Sequence, residues 1–432
     1  MQLGLRSNGS QPHVVVEAPI AAYLHIPFCR RRCYYCDFPV SVVGDRARGS
    51  TSGTIQRYVE VLSAEIQGMG TIVPPGASPL QTVFFGGGTP SLLAPEQLDR
   101  LLTSLHQQFG IATGAEITIE MDPGTFDLAH IRAYQQAGIN RVSLGVQAFQ
   151  HDLLNLCGRT HTVADIYDAV DCLHQAGIEN ISLDLISGLP YQTLDQWQES
   201  LEKAIALAPT HLSCYDLIVE PKTAFSRRYQ PGETPLPTEA IAADMYRLAQ
   251  QLLTSAGYRH YEISNYARDG YECRHNQVYW RNQPYYGFGM GAASYLNGWR
   301  FTRPRKTQDY FAWVEAMLSS CQFPIPPCPQ PPDLLETLML ALRTAEGISL
   351  DPVAAQYGTD AVNRLWNCLQ PYYHRGLVVL MPEGDSARAI VPPIQADTDQ
   401  AGLASGYRLR LQDPEGFLVS NTILADLFAA LE

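Results

Sequence analysis

The chain reads as an α/β protein, an open β/α barrel of six units followed by a smaller C-terminal α/β domain of winged-helix-like character. Three observations carry this reading: β-rich runs alternate with helical patterns over the first two-thirds, one helix–Gly–strand phrase nearly repeats, and a tight cysteine cluster follows the first strand. Candidate strands are Ala21–His25, Thr82–Phe85, Glu116–Glu120, Arg141–Gly145, Ile181–Ile186 and Leu212–Tyr215. Between them the apolar spacing predicts helices over Ile55–Gln67, Pro95–Phe109, Ala129–Gln136, Val163–Gln175 and Leu194–Leu207. Strands separated by helices imply parallel βαβ units. QQAGINRVSLG (Gln135–Gly145) is echoed by HQAGIENISLD (His174–Asp184) and more weakly by SAGYRHYEI (Ser255–Ile263), each a helix end, a glycine stop and a strand.

Residues 1–18 read as a flexible tail, 19–256 as the barrel, 257–322 as an aromatic-rich connecting region and 323–432 as the C-terminal domain, entered through the Pro-rich stretch Phe323–Asp333. In that last domain helices are expected at Leu334–Ala345 and Asp360–Tyr372, a strand at Gly376–Leu380 and a strand–Gly–helix unit over Tyr407–Leu431.

The 432 residues are 46% hydrophobic and 17% charged, which excludes a disordered chain, and the net charge of −13 argues against nucleic-acid binding. Only three of the 30 basic residues are Lys: Lys203, Lys222 and Lys306. No apolar run approaches the 18 or so residues of a membrane span, and Met1–Ala18 has no secretory signature. A cytoplasmic setting is expected, where cysteines stay reduced and a close cluster of them binds metal.

Cys29, Cys33 and Cys36 form C-x3-C-x2-C just after the first strand. Three thiolates on a [4Fe–4S] cube leave one iron open to an outside molecule. The alternatives are zinc completed by His25 or another residue, weakened by the lack of a second C-x2-C half-site, and chance, weakened because the other seven Cys are scattered singly. Phe28, Tyr34, Tyr35 and Phe38 would shield a cluster from water. Gly86-Gly87-Gly88-Thr89-Pro90 follows the second strand and reads equally as a tight turn or as a close backbone approach to a ligand. Glu120, Gln147, Arg159 and Asp184 sit near later strand ends, where β/α barrels place reactive groups. Asp184, flanked by apolar residues in ISLDLISGLP, needs a partner if buried; Arg159 is the weakest of the four on its own.

The cysteine motif resembles that of the radical SAM superfamily. HIPFC, GGGTPS, IEMDP, LGVQ, LxxxGRxH and DLISGLP, spread over Tyr23–Tyr215, are similar to its HemN/HemW branch, the oxygen-independent coproporphyrinogen III oxidase-like proteins. The resemblance implies a radical SAM barrel of partial TIM type, in which S-adenosyl-L-methionine chelates the open iron and releases a 5′-deoxyadenosyl radical on reduction. It assigns Tyr23, Tyr35, Gly86, Gly87, Gly88, Thr89, Glu120, Gln147, Arg159 and Asp184 to cofactor binding, the carboxylates favouring ribose hydroxyls. Tyr23 matches a tyrosine near the substrate and is the candidate for contact with the reacting molecule.

That branch holds an oxidase and a heme chaperone. The oxidase pattern has a further Cys two residues past the last ligand, where this chain has Phe38. His275-Asn276-Gln277-Val278-Tyr279-Trp280 (HNxxYW) resembles a signature of the chaperone, and imidazole is the commonest heme-iron ligand, so His275 is the candidate heme residue. Cys273 reads as a buried inert thiol ahead of a second ligand or an attachment point. Arg30, Arg31 and Arg32 read as a solvated run, as contacts for porphyrin propionates, or as a docking point for a flavodoxin-like reductant. The expected function is heme chaperoning: heme is received and passed to an apoprotein acceptor, including a membrane-associated one. The alternative is the oxidase of porphyrin biosynthesis.

Overall fold

The computed structural model describes residues 18–45, 49–71, 78–320, 332–383 and 406–431. The expected flexible tail before residue 18 and nearly all of the Pro-rich entry at 323–333 lie outside these residues.

Six strands form the barrel wall: β1 (Ala21–Ile26), β2 (Leu80–Gly87), β3 (Ile111–Met121), β4 (Arg141–Gln147), β5 (Asn180–Ser187) and β6 (His211–Asp216). All adjacent pairs are parallel and in chain order. Between them run α1 (Gly53–Gly70), α2 (Pro95–Phe109), α3 (Leu128–Ala137), the short α4 (His151–Leu156), α5 (Val163–Ala176) and α6 (Leu194–Ala206). The helix starts follow local chemistry. Asp127 caps α3, while Thr162 with Asp165 and Thr193 with Gln196 form reciprocal boxes that satisfy orphan amides.

The repeated phrase has one geometry. Gly138 and Gly177 stop their helices at φ +116° and +80°, and the next residues, Ile139 and Ile178, donate back to Tyr134 and Leu173 at 3.0 and 3.1 Å. Such Schellman stops turn the chain into β4 and β5. Gly257 repeats the stop at φ +87°, after α7 (Glu239–Ser255), with Tyr258 N donating to Leu253 O at 3.0 Å. The strand that follows, β7 (Arg259–Glu262), is not a seventh parallel unit. It turns at once into β8 (Asn265–Ala267), which pairs antiparallel with both β6 and β7, because no crossover helix returns the chain to the same end.

The segment expected as a connecting region therefore builds sheet. After α8 (Arg274–Trp280), β9 (Tyr286–Phe288) pairs parallel with β1 on the opposite edge. The nine-stranded order is β9-β1-β2-β3-β4-β5-β6-β8-β7, a barrel wall left open between its two outer strands.

A second core lies in the C-terminal unit, where Leu338, Leu365, Leu369, Leu409, Phe417 and Leu427 pack beside a three-stranded antiparallel sheet. It docks on the antiparallel edge: Tyr246 joins its core, Arg247 grips Glu415 in a bidentate pair at 2.8 and 2.9 Å, and His260 meets Asp413 at 2.8 Å. No helix among the described residues is long and apolar enough to cross a membrane.

Candidate functional site

The C-terminal ends of β2–β6 and the loop after β1 enclose a cavity of about 390 Å³. It lies within the range of about 300–1,000 Å³ typical of small-molecule sites. Cys29, Cys33 and Cys36 all line it, and all three are free thiols. Burial pushes the Cys29 thiol up to about 12, with Asp122 adding to the effect, and raises Cys36 as well. Such thiols become thiolates when a cation compensates them. No three His, Cys, Asp or Glu side chains among the described residues converge on one ion.

The polar residues expected at strand ends do gather here. Thr89, Glu120, Gln147, Arg159, Asp184 and Tyr35 share the cavity wall with the cysteines. Arg159, with a side chain only 7% exposed, ties the site together. It pairs with Asp122, donates to Gly145 O at 2.8 Å and reaches Cys33 Sγ at 3.5 Å. One guanidinium thus links the ends of β3 and β4 to the cysteine loop. Asp122 also accepts from Thr89 Oγ1 at 3.0 Å. Sequence reasoning missed Asp122 as a site residue, although it stands in the quoted IEMDP motif; its signal was position, one residue past a strand end.

Both acidic strand residues are buried. Desolvation pushes Glu120 up to about 8, against the Gly87 N–H it accepts at 2.8 Å and with Asp184 and Asp122 adding to the rise. Asp184 is raised by burial too, opposed by hydroxyls that include Ser143 at 3.0 and 2.9 Å and Ser182 at 3.2 Å. Two carboxyls raised by burial and facing one cleft make this wall a candidate site. Gln147 adopts φ +68°, a left-handed conformation uncommon outside glycine, where β4 slips register against β5. The bulge re-aims the strand end at the cavity.

Three expectations change. The glycine run forms the tight turn, and its amides are engaged within the protein: the N–H groups of Gly87, Gly88 and Thr89 bond Glu120, Ile26 O (2.9 Å) and Phe28 O (2.6 Å). These glycines exist because a Cβ on Gly88 would sit 2.7 Å from Phe28 O and one on Gly87 2.4 Å from His25; Gly87 and Gly88 then face the cavity while Gly86 packs behind it. Tyr23 is also behind the wall, hydrogen-bonded to His25 at 3.0 Å and in line with Gly86. Of the aromatics expected to shield the cysteines, Tyr35 does line the cavity, but Phe38 is 56% exposed at its mouth and Phe28 packs away, against Tyr58.

His275 lies elsewhere, at the opposite end of the barrel. It is 1% exposed, with Nδ1 bonded to Thr82 Oγ1 at 2.8 Å and Nε2 to Tyr279 at 2.7 Å. Burial lowers its pKa to about 3, so the ring is neutral with both nitrogens engaged. Cys273 is buried beside it, its thiol donating to Glu116 at 3.7 Å and pushed up to about 12 by burial. In this arrangement neither residue presents a ligand atom to a cavity, and the inert-thiol reading of Cys273 matches the geometry.

Residues 23–204 match the model of the radical SAM superfamily. The heme chaperone HemW of Synechocystis sp. is 47% identical over 415 residues, 96% of this chain and 97% of the relative. The heme chaperone HemW of Bacillus subtilis is 34% identical over 362 residues, 83% and 92% of the two chains. Among solved structures, coproporphyrinogen III oxidase (HemN) from Escherichia coli matches with a TM-score of 0.74 at 22% identity, over 95% of this chain and 90% of that one, a likeness of fold. The chain belongs to the radical SAM superfamily and, within it, to the HemW family.

Proposed function

We propose that this protein is a cytoplasmic heme chaperone. It holds a [4Fe–4S] cluster and S-adenosylmethionine at the barrel mouth, receives heme, and passes it to an apoprotein acceptor. The observation that carries the reading is Phe38, an exposed phenyl ring at the cavity mouth where the oxidase pattern has a further thiol. The near full-length likeness to proteins named heme chaperones supports it.

In this reading Cys29, Cys33 and Cys36 hold the cluster, which when bound supplies an open iron and an electron. Glu120 and Asp184 accept the ribose hydroxyls. Gln147 and Arg159 fix the position of the cofactor, Arg159 also neutralising thiolate charge at Cys33. Tyr35 and Thr89 complete the wall, and Gly87 and Gly88 line it where His25 and the Phe28 carbonyl leave no room for a Cβ. The functional unit is the barrel with its two added edges, residues 19–320. The C-terminal unit covers the antiparallel edge and meets partners, among them a membrane-associated acceptor. A flavodoxin-like reductant supplies electrons.

The test is anaerobic reconstitution with iron and sulfide, followed by titration with hemin and incubation with an apoprotein acceptor. Stoichiometric heme binding and transfer are expected. The HemN-like fold keeps the oxidase as the second reading. Reconstituted protein given reductant, S-adenosylmethionine and coproporphyrinogen III distinguishes them: formation of protoporphyrinogen IX overturns the chaperone reading.

A further inference from the structure

Beside the cavity of the cysteines opens a wider cleft of about 990 Å³, walled by the cysteine loop, the 220–227 loop and the turn at 305–306. The two spaces share Cys33 and Phe38 on their walls, so a molecule in the cleft would lie against the cluster loop.

The cleft is unlike the rest of this acidic chain. It carries five cations, Arg32, Lys222, Arg227, Arg305 and Lys306, against only Asp37 and Glu220. Two of the three lysines in the whole sequence are among them. Arg32 is bound to the carbonyls of Cys36 and Phe38, and Arg305 to Asp37, so these two brace the loop. Lys222, Arg227 and Lys306 have no ion pair among the described residues. Lys222 is moreover held at φ +69°, a conformation disfavoured for a lysine, at the tip of the wall.

Apolar surface meets these charges. Phe38 is 56% exposed, and Ile218 and Tyr215, on the smaller cavity's wall, are 68% and 43% exposed. Large apolar side chains left in water beside unpaired cations fit a ligand with a broad apolar face and anionic groups on one edge. A porphyrin with its two propionates is such a ligand.

We propose that heme is received in this cleft, its ring against Phe38 and its propionates on Lys222, Arg227 and Lys306. This placement deepens the chaperone reading and rests on it. It puts the cargo beside the cluster and away from His275, whose ring nitrogens are both engaged. It also gives the Phe38 position a use: the aromatic face replaces a thiol with a surface for a tetrapyrrole.

The test compares hemin with hemin dimethyl ester, whose propionates carry no charge, on reconstituted wild type and on the triple variant Lys222→Ala/Arg227→Ala/Lys306→Ala. All three side chains are exposed, and iron and sulfide content in the variant reports that the cluster loop is intact. Hemin should bind the variant about tenfold more weakly, the scale of two partly solvated charge contacts. The ester should bind both proteins alike, and Phe38→Ala should weaken both ligands. If the triple variant binds hemin as wild type does, this site is wrong and the chaperone reading stands. If wild type binds no hemin, both fall. If hemin binding is unchanged but reduction by an acidic flavoprotein slows in the variant, the cations dock a protein and the heme placement is overturned.

Discussion

The two ends of the barrel are both rich in buried polar groups, yet they are built on opposite terms. At the floor most of the groups satisfy one another, the buried Arg141 Nε being an atom there without a hydrogen-bond partner. His275 bridges Thr82 and Tyr279, His211 bridges Ser182 and Tyr261 at 2.8 Å each, and Glu116 accepts from the amides of Arg274 and His275 at 3.1 Å. Arg141, buried at the same level, supplies the positive charge. At the mouth the groups face open space: Glu120 and Asp184 are raised by burial, Gln147 is left-handed, and a 390 Å³ cavity separates the strand ends from the cysteine loop. A closed polar network rigidifies a core, whereas polar groups aimed at a cavity await a ligand. The HNxxYW string belongs to the first kind, although its residue types read as the second.

The largest test of this contrast is at the mouth. Cys33→Ser should reduce iron and acid-labile sulfide to near background after anaerobic loading while leaving the fold intact, because the thiol lies on a loop rather than in the core. Retention of a full cluster would remove Cys33 from the ligand set.

His275→Ala should behave in the contrary way. It leaves Thr82 and Tyr279 without their partner and opens a void in the floor, at a cost of about 3 kcal/mol by urea unfolding. Hemin affinity at temperatures where the variant is folded should equal that of wild type. A large loss of hemin affinity with unchanged stability would make His275 a ligand and break the comparison.

Much of this contrast was legible beforehand, and the part that was not has a physical reason. The six strands and five long helices were readable because each is a local periodic pattern closed by a glycine or a capping residue, as at Gly138, Gly177 and Thr193. The mouth was readable because β/α units send strand ends to one face, so Glu120, Gln147 and Asp184 converge whatever the loops do. Three things needed coordinates. The pairing direction of β7 and β8 is a long-range property that a helix–Gly–strand phrase does not encode. The place of His275 depends on α8 folding under the barrel, which spacing within HNxxYW cannot say. Arg159 looked like an isolated cation because its partners, Asp122, Gly145 and Cys33, are 37, 14 and 126 residues away.

Arg159→Met sharpens the comparison from inside the site. It strips Asp122 of its cation and unties β4 from the cysteine loop. Asp122 keeps the Thr89 hydroxyl and is partly solvent-exposed, so the cost should be about 2 kcal/mol, below the 3–5 expected on breaking a fully buried pair. Isothermal titration should also show weakened S-adenosylmethionine binding. Normal stability in this variant would mean that the arginine is not the tie described above.

The smallest effect, and the most specific, comes from Glu120. Its carboxyl titrates near 8 in the folded protein against an ordinary value of 4.5. Between those values the folded state holds a proton that the unfolded chain has lost, so the stabilisation present below about 4.5 is lost as pH rises through 8. Glu120→Gln cannot ionise and removes that slope. The ligand-free variant should match wild type near pH 5 and exceed it at pH 9 by on the order of 1 kcal/mol, less than the full shift implies because water enters the cavity around the ionised group. Ligand binding should move the other way. A carboxylate accepting ribose hydroxyls must shed its proton first, so S-adenosylmethionine affinity of wild type should rise with pH up to about 8 and then level, while the variant binds weakly and without that rise. Parallel pH profiles for the two proteins would place Glu120 with the self-satisfied groups of the floor rather than with the mouth.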